Sequence, residues 1–160
     1  MLSHLFGLGL PAATLAGYAA RLGSDCPFFI YNTPMMGTGR GEVLTPFDLH
    51  SIIGPEYEIR VIVPEGIHVS TADAYRGIVP REARFPVKPG MTEQSGHLPL
   101  EAILRLPIDQ WKDTLVNDFE ATVFAKYPAL EALKNDIYKK GAVYASMSGS
   151  GSALFGIFRK

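Results

Sequence analysis

Asp25 stands in Leu22-Gly23-Ser24-Asp25-Cys26-Pro27-Phe28-Phe29, between a glycine that stops a helix and an aromatic run that reads as a strand. A carboxylate fixed at such a junction can accept a proton from a substrate hydroxyl. It can equally be a turn aspartate that bonds nearby backbone N–H groups. Far along the chain, Met147-Ser148-Gly149-Ser150-Gly151-Ser152-Ala153 separates two apolar runs. Two glycines let the backbone approach a ligand, successive N–H groups can form an anion-binding nest, and the serines add hydroxyl donors. The plainer alternative is a flexible hairpin loop. The segment is neither a Walker loop, since no Gly-Lys-Ser/Thr follows, nor a dinucleotide fingerprint.

Two further groups are chemically capable. Asn117-Asp118-Phe119-Glu120 puts two acids and an amide together, as a metal or substrate ligand set or as an ordinary polar, capping helix face. Thr71 and Tyr75 lie one helical turn apart at a predicted helix start, where they could line a pocket or serve as cap and core. His4, His50, His68 and His97 lack metal-ligand spacing, and no His/Asp motif accompanies Ser24 or Ser148, so hydrolase-type nucleophilic catalysis is disfavoured.

The elements that must hold these residues follow from periodicity and punctuation. Leu2, Leu5, Phe6 and Leu10 read as the end of an amphipathic helix with no cap before it, stopped by Gly7 and Gly9. Pro11 precedes a helix over 12–22, ended by Gly23. Residues 28–32 read as a strand, 33–42 as a turn-rich connection, and 43–47 as a return strand. A domain boundary is expected within 49–55. The clearest strand is 57–63, and Ser70 or Thr71 caps a helix to Gly77. Residues 79–96 read as an exposed loop, 99–104 as a short helix, 108–127 as one longer helix with Leu115, Phe119 and Phe124 near one face, and 129–140 as a helix ended by Gly141. Strands 142–147 and 153–158 close the chain. The succession predicts an α+β fold, a mainly antiparallel sheet backed by helices.

Composition narrows the function. Of 160 residues, 47% are hydrophobic, which supports a packed core. Fifteen basic and sixteen acidic residues give a net charge of -1, so no nucleic-acid partner and no membrane surface is expected. The single cysteine, Cys26, rules out an internal disulfide and fits a cytoplasmic protein. No apolar run approaches the roughly 20 residues of a membrane helix.

The order LGSDCPFF, GRGEVLTP, VSTADAY, NDFE, MSGSGSALFG resembles the GHMP superfamily of small-molecule kinases, and within it the diphosphocytidyl-methylerythritol kinases. NDFE combined with GRGE favours these over the homoserine and mevalonate kinases, which remain the alternative. The resemblance implies a C-terminal domain over 56–160 with a ferredoxin-like antiparallel sheet backed by helices. It implies that residues 1–55 are a remnant of a ribosomal-S5-like, ATP-binding N-terminal domain. It implies ATP-dependent phosphorylation, with Mg²⁺, of a small-molecule 2-hydroxyl in non-mevalonate isoprenoid synthesis. Asp25 would be the catalytic acid/base. Gly149, Ser150 and Gly151 would close over phosphate, Thr71 would touch substrate, and Tyr75 would stack on cytosine. Asn117, Asp118 and Glu120 would be mostly structural.

The family also carries a Gly-Gly-Gly-Ser-Ser phosphate loop, a lysine that partners the aspartate and residues that grip cytosine and adenine, all upstream of the matched motifs. None occurs in these 160 residues. The expectation is a truncated chain begun at an internal Met1, inactive alone or binding substrate only. Its Leu2, Leu5, Phe6, Phe28, Phe29 and Ile30 would then be exposed and would invite self-association.

Overall fold

A computed structural model describes residues 2–39, 41–78 and 100–160; the loop expected over 79–96 lies outside the described residues. The chain divides into two compact units, Met1–Ser51 and Ile52–Lys160, with the division inside the 49–55 stretch.

The first unit holds α1 (Leu2–Leu5), α2 (Ala12–Ala20), α3 (Phe28–Tyr31), β1 (Met35–Thr38) and β2 (Val43–Pro46). α1 ends where the Leu8 N–H reaches the Ser3 carbonyl (2.9 Å) and the Gly7 N–H reaches the His4 carbonyl (3.2 Å). That closure needs the left-handed backbone that Gly7 supplies at φ 61°. Residues 28–32 are not the predicted strand. Pro27 already has helical φ and ψ, the Phe28 N–H donates to the Asp25 carbonyl, and Asn32 closes the turn at φ 49° with its N–H on the Phe28 carbonyl. A start and a stop only five residues apart override the strand preference of Phe-Phe-Ile-Tyr. The 33–42 connection also contains a strand: β1 pairs antiparallel with β2, from Met35 opposite Pro46 to Thr38 opposite Val43. Met-Met-Gly-Thr carries no run of β-branched residues, so the partner strand decides its state.

The second unit holds β3 (Tyr57–Ile62), α4 (Thr71–Gly77), α5 (Leu100–Leu104), a 3₁₀ turn (Ile108–Gln110), α6 (Trp111–Thr114), α7 (Phe119–Lys126), α8 (Pro128–Lys139), β4 (Ala142–Met147) and β5 (Leu154–Arg159). The described strands form an antiparallel sheet in the order β3-β5-β4. Alternate residues along β4 and β5 point to opposite faces. Ala145, Met147, Leu154 and Phe158 join Ala74, Val123, Leu130 and Ile137 of α4, α7 and α8 in the larger core. Tyr144 and Ile157 join Ile108 and Trp111 in a second cluster. There the Trp111 ring meets Tyr144 edge-on at 5.6 Å, and its indole N–H donates to the Leu106 carbonyl (3.1 Å). The observed fold is the expected α+β arrangement.

The single helix predicted over 108–127 is three pieces. Leu115 leaves helical geometry at φ -102°, ψ 99° after its N–H bonds the Trp111 carbonyl. The Leu115 carbonyl is held by the Tyr144 hydroxyl at 2.9 Å. Leu115 packs on the second cluster, while Phe119 and Phe124 pack on the first, so the three do not share one face. Breaking the helix lets one segment serve both cores. α8 begins with Pro128 in its first turn, where the missing N–H costs nothing.

Candidate functional site

The glycine-serine loop joins β4 to β5, and its ends are tied by the Ser148 N–H on the Ala153 carbonyl at 2.8 Å. The Gly151 N–H closes a turn on the Ser148 carbonyl at 3.0 Å. Gly149 at φ 55° and Gly151 at φ 90° adopt backbone that side-chain-bearing residues avoid. A β-carbon on Gly151 would also lie 2.7 Å from the Met147 sulfur, so this position is closed sterically as well. A β-carbon on Gly149 would meet nothing within 4 Å, which leaves that side of the loop open. Among the described residues the Gly149 and Ser150 N–H groups have no acceptor.

Side chains at the starts of α7 and α4, together with the Ile67 carbonyl, hold this loop and the strand end before it. The Asn117 amide nitrogen donates to the Met147 and Gly149 carbonyls, each at 2.8 Å, and its oxygen accepts the Phe119 N–H at 3.0 Å. Glu120 is 6% exposed. One of its oxygens accepts the Met147 N–H (2.8 Å) and the Ser146 hydroxyl (3.2 Å), and the other meets the Lys134 ammonium at 2.6 Å. A buried carboxylate needs this full set of partners. The Ser152 hydroxyl donates to the Ile67 carbonyl at 2.7 Å. The Thr71 and Ser150 hydroxyls approach to 3.4 Å across 79 residues of sequence. Asn117 and Glu120 therefore sit at the start of α7, not inside a longer helix, and they grip the loop rather than solvent. The available signal was an Asn two residues ahead of a helical Phe, the pattern of a side chain bonding forward to backbone.

Thr71 opens α4, and of the two capping candidates it is Ser70 whose hydroxyl accepts the Asp73 N–H. Thr71 is thereby left to face Ser150. Tyr75 lies one turn on, 62% exposed, with its ring edge against Phe119 at 4.9 Å. An exposed ring propped by a second ring offers a flat face to a planar ligand. Asp73 clasps α4 to α7 through Lys126 (2.9 Å) and also pairs Arg76 (2.8 Å). The hydrogen bond from Lys126, then its charge, holds the Asp73 carboxyl below its ordinary value, and the same bond holds the Lys126 ammonium above its own.

Asp25 belongs to the first unit and is described within it. It lies in the turn between α2 and α3, where its carboxylate accepts the Ser24 hydroxyl at 3.1 Å. A β-carbon on Gly41 would come within 3.4 Å of the same carboxylate, so the glycine turn between β1 and β2 reaches the aspartate. Gly41 has φ 100°, again backbone that suits glycine. Gly41 of GRGE thus approaches Asp25 of LGSDCPFF.

Among the described residues no group of three or more His, Cys, Asp or Glu could hold a metal ion. No described helix is long and apolar enough to cross a membrane.

Residues 100–160 match the family described as GHMP kinases C terminal. Relatives named 4-diphosphocytidyl-2-C-methyl-D-erythritol kinase are similar along the whole chain. The one from Azobacteroides pseudotrichonymphae is 42% identical over 100% of this chain and 54% of its own length. That of Bacteroides fragilis is 42% identical over 99% of this chain and 52% of its own. A crystal structure of 4-(cytidine 5'-diphospho)-2C-methyl-D-erythritol kinase superposes with a TM-score of 0.68 at 30% identity, covering 97% of this chain and 50% of that one. The chain spans about half the length of the relatives it matches. Its C-terminal residues thus match the GHMP kinase C-terminal family, on a chain that is similar throughout to 4-diphosphocytidyl-2-C-methyl-D-erythritol kinases.

Proposed function

We propose that this chain is part of an ATP-dependent kinase that phosphorylates the 2-hydroxyl of 4-diphosphocytidyl-2-C-methyl-D-erythritol in cytoplasmic, non-mevalonate isoprenoid synthesis. The observation that carries this reading is the β4–β5 loop, with two backbone N–H groups that have no acceptor among the described residues, beside the Ser150 and Thr71 hydroxyls. Such a loop fits a phosphate oxygen, since N–H and O–H donors need no charge of their own to bind an anion. Phosphoryl transfer asks a protein chiefly for positioning and for stabilisation of charge on the transferring group. In this reading Gly149, Ser150 and Gly151 form that loop and Thr71 orients substrate. The exposed Tyr75 face takes the cytosine, and the Asp25 carboxylate accepts the proton of the attacking hydroxyl. Mg²⁺ would arrive with ATP.

The 160 residues contain no Gly-Gly-Gly-Ser-Ser segment, and we infer little or no turnover from these residues alone. Purified chain should be stabilised by the cytidine substrate and not by ATP-Mg²⁺ in a thermal-shift titration, since a ligand that binds only the folded state raises its melting point. ATP-dependent phosphorylation by the purified chain would refute the inactivity. Absence of any shift with the cytidine substrate would refute the substrate assignment. Leu5, Phe6, Phe28, Phe29 and Ile30 are exposed, so the chain should self-associate, and a monodisperse monomer in light scattering would contradict that.

A further inference from the structure

We propose that Asn117 is the positioning residue of the phosphate loop, and that it acts by fixing the plane of the Gly149–Ser150 peptide. This rests on the reading of the loop as a phosphate site. A trans peptide points its C=O and the following N–H in opposite directions. The Asn117 amide holds the Gly149 carbonyl at 2.8 Å, so the Ser150 N–H of that same peptide must point away from Asn117. The second donor of the amide holds the Met147 carbonyl, also at 2.8 Å, which anchors the strand end from which the loop springs. Both donors and the acceptor of the side chain are engaged, so the amide cannot rotate to release one carbonyl without losing other bonds. Glu120 fixes the Met147 N–H from the same segment at 2.8 Å. The outward N–H belongs to the residue whose hydroxyl lies 3.4 Å from Thr71, so one backbone donor and two hydroxyls sit together. Released from Asn117, the Gly149–Ser150 peptide could rotate, because the missing side chain of Gly149 leaves its ψ free. An outward carbonyl would then repel an anion.

The cap role of Asn117 and its loop role can be separated chemically. Asn117→Asp keeps an oxygen for the Phe119 N–H and a residue type suited to helix starts, while it removes both donors and sets a carboxylate against two carbonyl oxygens. The experiment is an NMR titration of ¹⁵N-labelled full chain with inorganic pyrophosphate. In the wild type, the Gly149 and Ser150 amide signals should move on addition of pyrophosphate. Both Asn117 side-chain protons should exchange slowly with water. In Asn117→Asp the melting point should fall, since two carbonyls lose their donors and face a carboxylate, while the spectrum stays that of a folded chain; the Ser150 signal should shift or broaden and pyrophosphate should bind roughly five- to tenfold more weakly, the value of about one lost hydrogen bond. Asn117→Ser, which also keeps a cap oxygen, should do the same if the aspartate variant fails to fold. Unchanged pyrophosphate affinity and an unchanged Ser150 signal in a folded variant would overturn the positioning role. So would fast exchange of the Asn117 amide protons in the wild type. If the wild type ignores pyrophosphate although its Asn117 protons are protected, the phosphate reading of the loop fails and this proposal falls with it.

Discussion

The two units put their apolar residues in different places. In Ile52–Lys160 the fully buried side chains include Ile103, Leu130, Ile137, Met147, Leu154 and Ile157, and they fill both faces of the sheet. Among the described residues of Met1–Ser51 those buried are two alanines, Ala16 and Ala19, and Pro27, while Leu22 is 85% and Phe29 73% exposed. Buried area is the main favourable contribution to folding, and two alanines contribute little of it. The candidate groups differ in the same way. The β4–β5 loop is held by side chains rooted in the larger core, whereas Asp25 sits in a turn whose side-chain contact is the adjacent Ser24. A loop built on a core keeps its geometry alone; an aspartate on a thinly packed unit has less to hold it.

The sharpest way to break this contrast is to remove Glu120. Glu120→Ala leaves the Met147 N–H unpartnered in the interior and the partly exposed Lys134 ammonium without its carboxylate, and should cost about 3–5 kcal/mol in urea unfolding followed by circular dichroism. Next, Leu130→Ala, at a site 0% exposed, should cost about 2–5 kcal/mol, whereas Leu22→Ala in the first unit should change stability by less than about 0.5 kcal/mol. Equal effects at the two leucines would erase the distinction between the units. Gly151→Ala should cost about 1–3 kcal/mol, because the methyl meets the Met147 sulfur and the backbone sits at φ 90°.

The smallest expected effect is the Asp73–Lys126 clasp, which is exposed and should fade in high salt. Its sign with pH is fixed by the two shifts. Asp73 is depressed, so its contribution is present above its ordinary value of 3.8 and lost as pH falls through its lower folded value. Lys126 is raised, so its contribution is complete below 10.5 and lost as pH rises through its higher folded value. Between those limits the melting-point difference between wild type and Lys126→Met should be flat with pH. A difference that grows toward neutral pH would mean another group titrates there.

Legibility in the sequence followed the source of each element's stability. β3 is readable from its β-branched residues, β4 and β5 from apolar runs split by the glycine-serine segment, and α8 from Pro128 at its start and Gly141 at its end, all of which act locally. α3 was misread because Phe28–Tyr31 has strand-forming residues, while Asn32 and Pro27 enforce a single helical turn. β1 was missed because its state comes from pairing with β2. The break after Thr114 was hidden because Leu115, Phe119 and Phe124 have helical spacing yet serve two cores. At the candidate site the glycine-serine loop and Thr71 were visible as residue types. The grip of Asn117 and Glu120 on that loop was not, since it joins segments some 30 residues apart whose proximity only the sheet creates.

Trp111 is the single tryptophan, and it is packed against Tyr144 in the second unit. Selectively excited tryptophan fluorescence of this chain is therefore a reporter of one unit alone. An emission melt can show a single sharp transition while residues 1–51 have already come apart, and only a label placed in that segment would register the loss.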